Sequence, residues 1–95
     1  MKTPVIYNKH YTIYLEHFNG YTFIHCDCVK WNKSVKSSLI TDVDTLVKLH
    51  GTYIFALHDP EDLKHLKFLT MLNFEFNTTY PCKDGKVRQI FTRSK

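Results

Sequence analysis

The 95-residue chain is long enough for a single hydrophobic core, and we expect one domain spanning residues 1–95. Its 13 basic and 9 acidic residues leave a net charge of +4 that is dispersed along the chain. Three cysteines, an odd number, argue against a disulfide framework and favour a reducing compartment. No apolar run approaches the roughly 20 residues of a membrane-spanning helix, so the sequence predicts a soluble cytoplasmic protein with no membrane partner.

A β-hairpin is the clearest local prediction in the first third of the chain. Asn19-Gly20 favours a two-residue turn and separates residues 11–18 from residues 21–28, which are rich in β-branched and aromatic side chains. Residues 4–7 read as a short additional edge strand that begins with a proline. If Phe18 pairs with Tyr21 across the turn, then Leu15 pairs with Ile24, Ile13 with Cys26 and Tyr11 with Cys28, and these last three pairs make one consistently apolar face.

A helix is predicted after Trp31. Asn32 or Ser34 is suited to the N-cap position, and Gly51 is suited to the C-cap. One stripe of apolar side chains has helical spacing, and we expect it to pack against the sheet: Val35, Leu39, Val43, Leu46 and Val47.

A second strand-helix unit follows. Residues 52–57 carry no charge and predict a strand buried on both faces. Asp59 is the predicted cap of the next helix, with Pro60 at its first position and Asn73 as its left-handed end. The helix has a wide apolar face made of Leu63, Leu66, Phe68, Leu69 and Leu72, with Lys64, His65 and Lys67 expected to point away from it.

The chain ends in a predicted hairpin. Residues 74–80 alternate, with Phe74, Phe76, Thr78 and Tyr80 on one side, and residues 87–93 return as the last strand. The sequence therefore predicts an α+β fold, in which a mixed, mostly antiparallel sheet carries two helices in the order β-β-α-β-α-β-β.

The segment Phe68-Leu69-Thr70-Met71-Leu72-Asn73-Phe74-Glu75, followed by a polar turn and a final strand, resembles the closing segment of the GNAT superfamily of N-acetyltransferases. Members of that superfamily carry an aromatic pair, often Phe-Tyr, and then Gly-Phe at this point. The resemblance is closer to the reduced, small GNAT-like proteins of tailed phages, some of which are virion components. It implies a phage-encoded protein with a reduced GNAT-like fold, in which two parallel strands splay apart to form a slot for acetyl-CoA.

The resemblance also places a phosphate-binding loop at the start of the first helix. The family motif is Arg or Gln, two residues, Gly, one residue, then Gly or Ala, and this chain has Lys36 and Ser38 where the small residues would be. If acetyl-CoA binds, Lys33, Ser34, Lys36 and Ser37 are the residues that the resemblance assigns to its phosphates.

The resemblance places the general acid, usually a tyrosine, at Leu69. Leucine donates no proton, and the nearest replacement in the sequence, Tyr80, lies on a different predicted element. We therefore expect no catalytic residues and no cofactor. The protein would be an enzyme, an N-acetyltransferase, only if it binds acetyl-CoA.

The preferred function is binding of a macromolecular partner, a host or virion protein. The N-terminal half is crowded with aromatic residues of the types enriched at protein interfaces, and the predicted partner-binding residues are Tyr14, Tyr21, Phe23 and Trp31. Two alternatives remain open: an acetyl-CoA-dependent N-acetyltransferase with a degenerate phosphate loop, and a weak nucleic-acid-binding module. The nucleic-acid alternative depends on the basic residues of the tail, which are Lys83, Lys86, Arg88, Arg93 and Lys95.

The run His25-Cys26-Asp27-Cys28 contains residue types that bind metal ions. On a strand, Cys26 and Cys28 share one face and His25 and Asp27 share the other, so the four side chains do not converge on one ion. We predict no metal site.

Overall fold

The computed structural model describes residues 2–93 as a six-stranded sheet with both helices packed on one of its faces. The strands lie in the order β1-β2-β3-β4-β6-β5, and only β3 and β4 are parallel neighbours. Within that range the elements are β1 (Lys2–Tyr7), β2 (Tyr11–Phe18), β3 (Tyr21–Cys28), α1 (Lys33–His50), β4 (Ile54–His58), α2 (Leu63–Met71), β5 (Glu75–Pro81) and β6 (Val87–Arg93).

This architecture confirms the predicted α+β class and element order, with β1 as the additional edge strand. The β2–β3 hairpin has the predicted register, from Tyr11 opposite Cys28 to Phe18 opposite Tyr21. Asn19 and Gly20 both have positive φ, 50° and 82°, as a turn that matches the right-handed twist of the strands requires.

Helix α1 begins and ends where the sequence predicts. The Asn32 side chain accepts a hydrogen bond of 2.9 Å from the backbone N–H of Val35, and Gly51 ends the helix with φ 79°. Four members of the predicted stripe are buried against the sheet and Leu46 is half-buried. Because each fully buried aliphatic side chain contributes about 1.5–3 kcal/mol, the stripe is the main attachment of α1. The fully buried members are Val35, Leu39, Val43 and Val47.

Strand β4 differs from the prediction in its bounds and its burial. It covers Ile54–His58, so Thr52 and Tyr53 precede it. Ile54, Ala56 and His58 are buried beneath the helices, whereas Leu57 on the other face is 38% exposed. The strand is therefore buried on one face, because neither of the two helices within residues 2–93 covers the opposite side of the sheet.

Helix α2 begins one turn later than predicted. Asp59 caps a turn by accepting from the N–H of Glu61, and Asp62 is the actual N-cap, accepting from the N–H of His65 at 3.0 Å. The prediction that His65 points away from the core is wrong, because its ring packs on His58. Leu63, predicted on the apolar face, is 68% exposed.

Strands β5 and β6 form the predicted terminal hairpin, but its alternation is interrupted. Phe76 lies opposite Phe91 and Thr78 lies opposite Ile90, so Asn77 is an extra residue in β5. The bulge moves Thr78 and the residues after it to the sheet face opposite Phe76. The predicted single face holding Phe74, Phe76, Thr78 and Tyr80 is therefore wrong.

Neither helix of the described residues is both long and apolar enough to cross a membrane.

Asn73 gives a direct test of how α2 ends. It has φ 63°, a left-handed conformation that costs an ordinary L-residue about 1–2 kcal/mol. We expect Asn73→Val to lower the free energy of unfolding in urea by that amount, and Asn73→Gly to leave it unchanged or raise it. Lys67→Val on the exposed side of α2 is the matched control, with an expected loss below about 1 kcal/mol. Equal losses for Asn73→Val and Lys67→Val would contradict the assignment.

Candidate functional site

A slot opens between β3 and β4 on the side of the sheet that carries the helices. The two parallel strands are paired at one position, Phe23 with Phe55, and they separate toward their carboxyl ends. The separation leaves a cavity of about 490 Å³, which we call the slot. Its lining includes Ile24, Cys26 and Cys28 from β3, Ala56 from β4, and His65 and Phe68 from α2.

Two histidines stack at the α2 side of the slot. Nδ1 of His58 and Nδ1 of His65 lie 2.9 Å apart, so one ring donates the proton and the other accepts it. His58 is 1% exposed, its ring also contacts Phe91, and its Nε2 has no hydrogen-bond partner among the described residues. Burial, and secondarily the neighbouring His58, lower the pKa of His65. The neutral form of His65 is therefore favoured.

Two cysteines line the β3 side of the slot. Cys26 and Cys28 project from the same strand face, as predicted, and their Sγ atoms are 3.7 Å apart. Burial and the adjacent Cys28 raise the pKa of the Cys26 thiol, whereas Cys28 is exposed. Within residues 2–93, no three His, Cys, Asp or Glu side chains are gathered in a way that could hold a metal ion.

The start of α1 lies where the chain leaves β3. Lys33, Ser34, Lys36 and Ser37, the residues assigned to phosphates, all lie on the first turns of the helix and are exposed. The Asn32 side chain already occupies the N–H of Val35. An anion at this end of the helix would bind backbone N–H groups, and the N–H of Val35 is therefore not available to it.

Trp31 lies against α2. Its ring centroid is 6.1 Å from that of Phe68, which joins the segment after β3 to the helix after β4. Leu69, the residue at the position of the family's acid, is 2% exposed and belongs to the core. Tyr80 lies on the opposite face of the sheet from α2, because the β5 bulge turns it away.

The sheet face that carries no helix forms a second, larger concavity. We call this surface the open sheet face, and its groove has a volume of about 670 Å³. Phe18 and Tyr21 are 51% and 54% exposed, and the ring of Tyr21 meets Phe55 edge to face at a centroid distance of 5.2 Å. The apolar and aromatic lining of the groove comes from five strands and comprises Phe18, Tyr21, Phe23, Phe55, Leu57, Tyr80 and Ile90.

A hydrogen-bonded glutamate–histidine pair lies within this groove. Nε2 of His25 is 2.9 Å from Oε1 of Glu16, and both residues line the cavity. The hydrogen bond from His25 lowers the pKa of the Glu16 carboxyl. The groove therefore offers one anionic group beside an aromatic floor.

The structure brings three of the four predicted partner-binding residues together. Tyr21 and Phe23 line the groove, and Tyr14 lies on the same face because it pairs with His25. Trp31 lies on the other side of the sheet, against α2. The β4 and β6 members of the groove, Phe55, Leu57 and Ile90, were not predicted as site residues from the sequence. The alternation of side chains along β4 and β6 predicts which residues share a sheet face, but it does not predict which face the helices leave uncovered.

Of the basic residues of the tail, the two arginines form ion pairs and two of the lysines are exposed. Arg93 binds Asp44 of α1 and donates to the carbonyl oxygen of Leu72, whereas Arg88 pairs with Asp84 in the β5–β6 turn. Lys83 and Lys86 are exposed near that turn, and Lys95 lies outside the described residues.

No protein-family model matches the sequence, and no curated protein matches it. Among solved structures, the fold is similar to the ribosomal-protein-S5-alanine acetyltransferase from Vibrio fischeri, with a TM-score of 0.68 and 12% sequence identity. The match covers 90% of this chain and 54% of that chain, so the protein spans about half the length of this neighbour. At this identity the likeness establishes the fold alone.

The fold is GNAT-like, as the resemblance of the closing segment implied. Asn73 takes a left-handed conformation at the position where the family carries glycine. Strands β3 and β4 are parallel and paired at one position only, with α1 between them in sequence, which agrees with the splayed strand pair that the resemblance implies.

The His58–His65 pair predicts how stability depends on pH. Because the pKa of His65 is lowered in the folded protein, the unfolded chain binds a proton first as the pH falls. We expect the free energy of unfolding to decrease as the pH is lowered below about 6.5, the usual pKa of histidine. His65→Gln should flatten this decrease in urea titrations at several pH values. His10→Gln, which lies outside the pair, is the control; an unchanged slope in His65→Gln would contradict the assignment.

Proposed function

We propose that this protein is a noncatalytic GNAT-like module that binds a protein partner on its open sheet face. The observation that carries the proposal is the uncovered aromatic groove. A six-stranded sheet usually buries both faces or solvates one with polar side chains, and this sheet leaves an apolar face uncovered.

The chemistry of the face favours a protein surface as its occupant. Tyrosine and phenylalanine are enriched in the cores of protein interfaces, where their burial supplies a large share of the binding energy. Phe18 and Tyr21 offer half of their surface for burial, and Phe23 and Phe55 provide the floor beneath them. The Glu16–His25 pair and Lys83 add polar and charged groups to the lining of the groove.

The noncatalytic part of the proposal is supported by the region where acetyl transfer would take place. Buried Leu69 supplies no proton, and Tyr80 lies on the wrong face to replace a general acid on α2. Lys36 carries a side chain where the family motif has glycine, so backbone approach by a pyrophosphate is hindered.

A second candidate, binding of acetyl-CoA as in an N-acetyltransferase, is favoured by the slot between β3 and β4. In this case the acyl-bearing arm of the cofactor would enter the slot, and Lys33, Ser34, Lys36 and Ser37 would meet its phosphates. Two lysines near a helix N-terminus do supply favourable charge for phosphate. We rank this candidate second because it lacks an identified proton donor.

The resemblance to small phage proteins is the basis for proposing where the protein originates and where it acts. A phage-encoded module in the host cytoplasm would have a host or virion protein as its partner. The resemblance to phage proteins therefore indicates which partners to test, whereas the open sheet face indicates which surface binds them.

The binding surface can be tested with a photo-crosslinking residue placed at Tyr21. We expect a single crosslinked product of defined mass in cells that contain the partner, and Phe18→Lys in the same chain should remove it. With the purified partner, Phe18→Lys or Tyr21→Lys should weaken binding at least tenfold, since a buried interface aromatic contributes about 2 kcal/mol or more.

Leu49 provides the matched control for this experiment. It is 79% exposed on α1, far in sequence from the open sheet face, so Leu49→Lys makes the same chemical change elsewhere. Unfolding midpoints of all three lysine variants should stay close to that of the parent protein. Crosslinks that form equally from positions 21 and 49, or binding that Leu49→Lys weakens as much, would refute the proposed surface.

The second candidate is tested by calorimetric titration with acetyl-CoA. We expect no heat beyond dilution at sub-millimolar ligand, because the glycines of the phosphate loop and the general acid are both absent. Micromolar binding that Lys33→Glu or Lys36→Glu abolishes, while Lys67→Glu does not, would instead make the acetyltransferase candidate the leading one.

A further inference from the structure

We propose that Cys26 and Cys28 form a redox-active dithiol in the slot, which a low-molecular-weight disulfide converts into a reversible intrastrand disulfide. The inference is independent of the partner-binding function. It starts from two side chains of one strand face whose Sγ atoms are 3.7 Å apart at the wall of the same cavity.

The two thiols differ in a way that assigns their order of reaction. Cys28 is exposed at the end of β3, whereas Cys26 is half-buried and packs against the core. Burial raises the pKa of Cys26, which keeps it as a thiol at neutral pH. Cys28 is therefore the attacking residue, and Cys26 is the resolving residue.

The exchange has two balanced steps. The Cys28 thiolate attacks one sulfur of the small disulfide, whose S–S bond breaks and releases one small thiolate. The Cys26 thiol then loses its proton and attacks Cys28 Sγ, and the second small thiolate leaves and takes up a proton. In total, two protein thiols are oxidised to one disulfide while one small disulfide is reduced to two thiols.

The strand geometry makes the bridge labile. Residues i and i+2 of a strand have Cα atoms roughly 6.7 Å apart, which is close to the upper limit for a disulfide. Such a bridge is strained and is reduced more readily than a structural disulfide. On the β4 side of β3 the only paired position is Phe23, so the backbone edge beside the cysteines that faces β4 is unpaired, while Cys26 and Cys28 are paired with Ile13 and Tyr11 of β2 on the other side.

The experiment uses Cys82→Ser as its parent, so that the pair supplies the only thiols. After treatment with oxidised glutathione and acid quenching, intact mass should fall by the mass of two hydrogen atoms, and peptide mapping should place the bridge between residues 26 and 28. Reduced glutathione should restore the original mass. With Cys26→Ser added, the reaction should stop at a one-glutathione adduct on Cys28.

Two comparisons test whether the difference in reactivity between Cys26 and Cys28 depends on the folded structure and not only on their proximity in sequence. The adduct should form at least tenfold faster in the variant that retains Cys28 than in the variant that retains Cys26, and unfolding in urea should remove this difference. A stable double adduct, a disulfide-linked dimer, equal rates for the two variants, or no reaction in the folded protein would each overturn the proposal.

Discussion

The single paired position between β3 and β4, Phe23 with Phe55, joins two otherwise separate antiparallel halves of the sheet. One half is β1-β2-β3 and the other is β4-β6-β5. A parallel neighbour requires a crossover, and α1 supplies it. Because so little strand pairing joins the halves, their relative position depends on the side chains that α1 and α2 bury between the helices and the sheet. The slot exists because the two strands diverge beyond this junction.

The polar contacts of α1 reinforce that arrangement from both sides. The Tyr11 hydroxyl donates to Asp42, which ties the helix to β2 in the first half of the sheet. Asp44, two residues further along the helix, binds Arg93 at the end of β6 in the second half. Since both helices pack on the same face, nothing among the described residues covers the other one. The open sheet face is therefore a consequence of the same one-sided packing that assembles the core.

The sequence was sufficient where structure is determined locally, and insufficient where it depends on distant strands. Asn19-Gly20, Asn32 and Gly51 set the hairpin and the bounds of α1 through their own backbone preferences, and all were predicted. Tyr14, Tyr21 and Phe23 were predicted as partner-binding residues from their residue types, whereas Phe55 and Ile90 share their sheet face only through tertiary pairing. The bulge in β5 and the packing of His65 on His58 also depend on partners that no local pattern shows. A short uncharged run such as Thr52–Leu57 likewise does not reveal whether a second layer will cover it.

Both outer strands of the sheet are irregular, and this affects how the molecule can associate. Strand β1 contains Pro4 and a break in register between Pro4 and Ile6, while β5 has its bulge and ends in Pro81. Proline removes a donor from an edge, and a bulge bends the edge away from a straight ladder. Such edges resist the addition of a further strand, which is the usual route from an exposed sheet to fibrous aggregates. The protein can thus leave an apolar sheet face uncovered while its backbone edges remain poor templates for polymerisation.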